Sequence, residues 1–208
     1  MMHALALLFA DGRFPSGGHA HSGGIEAAVD DGRVSDQASL TSFLAGRLAT
    51  AGRVAACLAA AACSGTSDLD RLDAEASARI ASPALRAVSR QQGAALMRAA
   101  SSVCKKGGRG PLSAHFAVAI GLVARDTGLA PVEAARWAAY DSVAGPASAA
   151  IRLLGLDPFA TWGAVAALAP QIDLIAEQAP CGLAGCSAPL LDIGAERHAA
   201  NGVTLFAS

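Results

Sequence analysis

Glycine and proline interrupt this chain at helix-sized intervals, and between them no stretch sustains the two-residue alternation of β-branched residues that a strand requires. Helices are the regular element this punctuation leaves. The residue supply agrees: 52 of the 208 residues are alanine and only 4% are aromatic, which suits close helix packing and deprives sheets of aromatic cross-strand pairs. We expect an all-α, single-domain helical bundle over residues 1–208, with a glycine-rich N-terminal loop and a C-terminal tail, because no repeat or linker divides the chain.

A short apolar segment and the glycine-rich stretch from Gly12 to Gly24 lead into a helix near Ile25 to Asp31 that stops at Gly32. Ser35 or Asp36 caps the next helix, whose core stripe is Leu40, Phe43, Leu44, Arg47 and Leu48, and a second apolar stretch runs from Val54 to Ala62. The charged segment from Asp68 to Ile80 reads as solvent-facing, and Ser82-Pro83 opens a helix through Leu85, Val88, Leu96 and Met97. Further helical units are expected over Leu112 to Thr127, Pro131 to Leu154 with a kink at Pro146, and Pro158 to Gln178 interrupted at Pro170. A loop from Ala179 to Pro189, a short amphipathic piece from Leu190 to Ala200 and a loose tail from Gly202 complete the chain.

Sixteen basic against seventeen acidic residues give a net charge of -1, so no overall field draws nucleic acid. With 16% charged residues and a mean hydropathy of +0.40, such a chain leaves apolar surface for a permanent partner or a second copy. The longest uncharged runs, 110 to 124 and 158 to 172, are shorter than a bilayer span and contain proline. The apolar start lacks a basic n-region, so a cytoplasmic protein that spans no membrane is expected. Five cysteines, at 57, 63, 104, 181 and 186, lack zinc-ribbon spacing and should remain thiols.

The densest motif is Phe14-Pro15-Ser16-Gly17-Gly18-His19-Ala20-His21-Ser22-Gly23-Gly24-Ile25-Glu26. It fails both the P-loop and the dinucleotide patterns, which leaves tight turns and close helix approach as the main use of its glycines. His19 and His21 stand two apart and in an extended loop could offer two imidazoles to a borderline metal, with His198, Cys181 or Cys186 as a third ligand. Packing or hydrogen bonding is the commoner use of such a pair. Lys105-Lys106 with Arg109 reads as a solvated loop. No nucleophile elbow, His-Glu-x-x-His or dense carboxylate–histidine group is present, which favours a binding protein over an enzyme.

Residues 14 to 26 resemble the N-terminal signature of UreF proteins through Pro15, Gly17, Gly18, Ala20, Ser22, Gly24 and Glu26. The likeness continues through Leu85, Arg86, Ser89 and Gly93, the helix before Gly155, Pro189 to Ile193, and Glu196-Arg197-His198. The resemblance implies a non-catalytic, all-α homodimer that binds UreD (UreH) and through it recruits the GTPase UreG to apo-urease for nickel insertion. No cofactor is implied as permanently bound, and nickel passes in transit. On this resemblance Gly17, Gly18, Ser22, Glu26, His198, Leu205 and Phe206 are the expected partner-binding residues. A nickel carrier using His19 and His21 is the alternative. Arg47, Arg86, Arg90 and Arg152 could each act on UreG, and none is singled out. The chain departs from the family pattern at His19 and His21, at Asp157-Pro158 and at Thr204.

Overall fold

The computed structural model describes residues 8, 9, 11, 14, 21–103, 111 and 113–200, and over these the chain is helical with no strand. The helices are α1 (Ile25–Asp30), α2 (Gln37–Arg47), α3 (Arg53–Ser64), α4 (Leu69–Arg79), α5 (Pro83–Val103), α6 (Phe116–Asp126), α7 (Pro131–Leu154), α8 (Pro158–Ala167), α9 (Ala169–Gln178) and α10 (Pro189–Ala200). A π-helical turn, Leu48–Gly52, joins α2 to α3, and a 3₁₀ turn, Ala179–Cys181, follows α9.

Local chemistry sets the starts. Asp36 accepts from the Ser39 amide at 2.8 Å while Ser39 Oγ accepts from the Asp36 amide at 3.1 Å, a reciprocal cap on α2. The Ser82 hydroxyl accepts from the Leu85 amide at 3.1 Å ahead of Pro83. Asp157 accepts from the amides of Phe159 and Ala160, so the Asp-Pro pair is the N-cap and first residue of α8. The segment expected to face solvent is the helix α4, which buries Leu72 and Ala76. Its three- and four-residue apolar spacing was hidden among Asp, Arg and Glu.

Helix α3 forms the axis, packed chiefly against α6 and α7, with α5 on the far side of α6, α9 on α7, and α10 against α5 and α1. The α3–α6 contact is built from small residues. A Cβ on Gly121 would overlap the Ala59 carbonyl oxygen and lie 2.6 Å from the Ala62 Cβ, so the two backbones meet with almost no side chain between them. Ala59, Ala62, Val118, Leu122 and Val123 surround that contact, all buried, and dispersion summed over such close packing holds it.

Helix α7 runs from Pro131 to Leu154 through Pro146 without a break. Proline at 146 supplies no N–H to the Ser142 carbonyl one turn earlier. The Arg47 Nε donates to that oxygen at 2.8 Å, so a side chain from α2 replaces the lost backbone bond. At Pro170 the sequence expectation of one interrupted unit becomes two helices, which part at Leu168.

Through its π turn, Gln37–Ser64 is one helical stretch of 28 residues, and Pro158–Cys181 is another of 24. By length and composition both could cross a membrane, which a count of uncharged runs did not anticipate. The first carries Arg47 and Arg53 and lies half buried in the bundle; the second is only a third buried and supplies much of the apolar surface described below.

Candidate functional site: the glycine-loop junction and the apolar faces

Ser22, Gly23 and Gly24 bring the glycine-rich motif onto the bundle where α1, α2, α7 and α10 meet. Ser22 is buried, and its Oγ accepts from the Gly24 amide at 3.3 Å. Gly23 and Gly24 both take left-handed backbone angles, φ +62° and +87°, a region that L side chains seldom enter. A Cβ on Gly23 would lie 2.8 Å from Pro146 Cγ and 3.3 Å from an Arg47 guanidinium nitrogen, and one on Gly24 would lie 3.1 Å from Leu191 of α10. Gly23 thus seats against the proline of α7 and the arginine that meets the carbonyl it frees. Tight turning and close approach, the structural use expected of these glycines, is what Gly23 and Gly24 do.

Arg47 and Asp141 carry the charge at this junction. Burial pulls the Arg47 guanidinium down to about 10, partly opposed by Asp141. Burial likewise pushes the Asp141 carboxyl up to about 6 against the pull of Arg47. Both line a cavity of about 540 Å³ that also meets His21, Tyr140, Arg152 and Trp162.

From Gly24 the chain enters α1, where Glu26 turns inward to meet His198 of α10, Oε2 to Nε2 at 3.5 Å, both side chains almost fully buried. The rest of the α10 seat is polar as well. Arg197 pairs with Asp31 at 2.7 Å, the Ser82 amide donates to Asp192 at 3.1 Å, and Glu196 accepts from the Ser82 hydroxyl and from the Ala84 amide. Two carboxylates of α10 therefore cap the N-terminus of α5, and those bonds hold the Glu196 carboxyl below its ordinary range. Outward, α10 shows the opposite character: Leu190 is 61% and Ile193 56% exposed.

A second apolar face lies on α8 and α9. Phe159 is 88% exposed, with Trp162 beside it on the same helix and Leu174 on α9. No charged residue occurs from 158 to 172. Tyr140, Ser148 and Arg152, spaced along one exposed edge of α7, border it through Trp162 at the cavity mouth.

A separate polar network surrounds His115. His115 is buried, its Nε2 2.9 Å from Ser77 Oγ and its Nδ1 3.0 Å from Ser89 Oγ. The His115 backbone amide and the Arg90 guanidinium both donate to Asp73, at 2.9 and 2.7 Å. Burial first, and then the Arg90 charge, lower the imidazole's pKa. The serine–histidine contacts tie α4, α5 and the start of α6 together, and Ser89 lies on the wall of the cavity of about 540 Å³. Composition gave no signal for it, because one histidine and two serines lie far apart in sequence.

Among the arginines, Arg47 bonds to Ser142, Arg86 to the carbonyls of Ile80 and Ala81, and Arg90 to Asp73, while Arg152 lines the same cavity as Trp162. Cys57 and Cys63 are buried thiols, the latter donating to the Leu129 carbonyl and pushed up to about 11 by burial. Cys181 is exposed and Cys186 half-buried. Among the described residues no group of three His, Cys, Asp or Glu side chains is placed to hold a metal ion. Gly17, Gly18, His19, Cys104, Leu205 and Phe206 lie outside the described residues.

Comparison with known proteins places the fold. The UreF family model matches residues 34–169, from the approach to α2 into the start of α9. A urease accessory protein UreF of Mycolicibacterium vanbaalenii is 44% identical over 210 residues, covering 99% of this chain and 98% of that protein. Proteins of the same name from Mycobacterium sp. and Mycobacterium tuberculosis are each 42% identical, covering 97% and 99% of this chain and 97% and 98% of their own lengths. The glycine motif and α10 lie outside the family-model match but inside these full-length alignments, and on both comparisons the chain belongs to the UreF family.

Proposed function

We propose that this chain is a non-catalytic scaffold of urease maturation, which as a homodimer binds UreD (UreH), recruits the GTPase UreG to apo-urease and assists nickel insertion in the cytoplasm. The observation that carries this reading is the apolar outer face of α8, in a run free of charge from 158 to 172, with Phe159 almost wholly exposed beside Trp162, and with Leu174 exposed on α9. Large exposed aromatic side chains in an apolar patch are what protein interfaces use as anchors. This face is the dimer contact. The outward side of α10, with Leu190 and Ile193, together with Leu205 and Phe206 beyond it, takes UreD. Gly17 and Gly18 meet a partner directly, whereas Ser22, Glu26 and His198 are buried and act by holding the loop and α10 in place. Nickel travels through the assembly without residing on this chain.

Co-expression with UreD and UreG tests the scheme, with solution mass and nickel-dependent activation of apo-urease as readouts. Phe159→Asp combined with Trp162→Asp should halve the mass of the isolated protein and abolish activation. A wild-type protein that is monomeric and indifferent to both partners would sink the proposal.

A further inference from the structure

A second cavity, a groove of about 560 Å³, separates α2 from the start of α10. Val34, Phe43 and Leu191 supply its apolar lining and the exposed Leu190 its edge. Among the described residues that line the groove the charged ones are arginines, Arg33 and Arg47, and none is a carboxylate. Ser42 and Thr50 have their hydroxyl protons committed to the carbonyls of Ala38 and Gly46, so recognition of a charged ligand falls to the two guanidiniums. Arg33 is the one left partly unneutralised. Arg33 shares the single carboxylate of Asp31 with Arg197, at 3.1 and 2.7 Å, whereas Arg47 turns inward to the Ser142 carbonyl and faces Asp141.

We propose that this groove docks an acidic, apolar segment of a partner protein, with a leucine or phenylalanine between Phe43 and Leu191 and a flanking carboxylate on Arg33. Charge complementarity selects this occupant, because an arginine-edged apolar groove disfavours a basic segment as strongly as it attracts an acidic one. The inference rests on α10 being a docking element, as the scaffold reading has it, and adds the chemistry of what docks beside it.

Gly46 gives a clean test, since it lines the groove and a Cβ built there meets nothing within 4 Å. A fluorescein-labelled peptide of repeated Glu-Leu-Phe-Glu units serves as the probe, measured by polarisation against the full chain. Wild-type protein should bind it saturably, and about tenfold more weakly after Gly46→Phe, after Arg33→Glu, or when lysine replaces glutamate in the peptide. Gly46→Phe should leave the melting temperature unchanged, which separates a blocked groove from a damaged fold. Absence of saturable binding, equal binding of the lysine peptide, or indifference to Gly46→Phe would each overturn the proposal. So would a changed solution mass in Gly46→Phe, which would assign the groove to a second copy. Tighter probe binding after removal of residues 201–208 would assign it to this chain's own tail. UreD association is followed in the same variants; groove binding that persists without UreD association would count against the scaffold reading alone.

Discussion

The α3–α6 contact and the seat of α10 solve the same problem, fixing a helix to the bundle, with opposite chemistry. In the first, Gly121 lies against Ala59 and Ala62 and the two backbones touch through alanine-sized surfaces. In the second, α10 turns Asp192, Glu196, Arg197 and His198 toward α1 and α5 and leaves Leu190 and Ile193 facing out. Close apolar packing has no weaker alternative short of separation, whereas charged and capping contacts can exchange with water or with a partner's polar groups at modest net cost. The comparison therefore marks the α3–α6 contact as the permanent part of the molecule and α10 as its adjustable part.

The strongest way to break the comparison is to overfill the tight contact. Gly121→Val places methyl groups into the α3 backbone, which cannot yield, and should destabilise the protein by about 3 kcal/mol in denaturant unfolding. Glu26→Ala or His198→Ala should cost less, about 2 kcal/mol, because one buried polar partner is left behind. That loss should be local: amide hydrogen exchange should quicken in α1 and α10 while α3 and α6 keep their protection. Uniform acceleration across the chain would show that α10 belongs to the same cooperative unit as the core.

Acidity sharpens the contrast through groups that titrate in opposite senses. His115 has a lowered folded pKa, so below its ordinary value near 6.5 the unfolded chain binds the proton more readily, and stability falls as pH drops through that range. Asp141 has a raised folded pKa of about 6 against 3.8; its folded form binds the proton first, so its contribution is present below 3.8 and is lost as pH rises to about 6. Melting curves against pH should flatten at the acidic end in His115→Gln and lose the opposing slope between about 4 and 6 in Asp141→Asn. The smallest effect is at Gly46, where the open space around the position lets Gly46→Ala stabilise α2 by about 0.5–1 kcal/mol, read as a shift in the denaturation midpoint.

Much of the helix order was legible because it depends on local chemistry. Asp36 and Ser82 announce their caps, proline opens α5, α7, α8 and α10, and glycine follows α3 and α7. Local rules say least about long-range partners. Helix α4 buries only Leu72 and Ala76 among charges, and the Ser142 carbonyl that Pro146 leaves without a backbone donor is met by Arg47, almost a hundred residues away in sequence. At the candidate site the motif residues were visible as a motif, but that Glu26 and His198 face each other indoors could not be read from a spacing of more than 170 residues.

By itself, then, the sequence determined that this chain folds as helices of these lengths, and through Pro15 to Glu26 and the C-terminal match it pointed to the UreF family. Both follow from short-range information: helix propensity, caps, breakers and an ordered motif. Only the tertiary structure decided which polar side chains are spent inside and which apolar ones are left outside. Phe159 and Leu190 look like core residues in sequence and lie exposed, while Glu26 and His198 look like surface and are buried. Burial is a property of which helix faces meet, and that is set by long-range packing around α3, where alanine and glycine let the backbones close on one another.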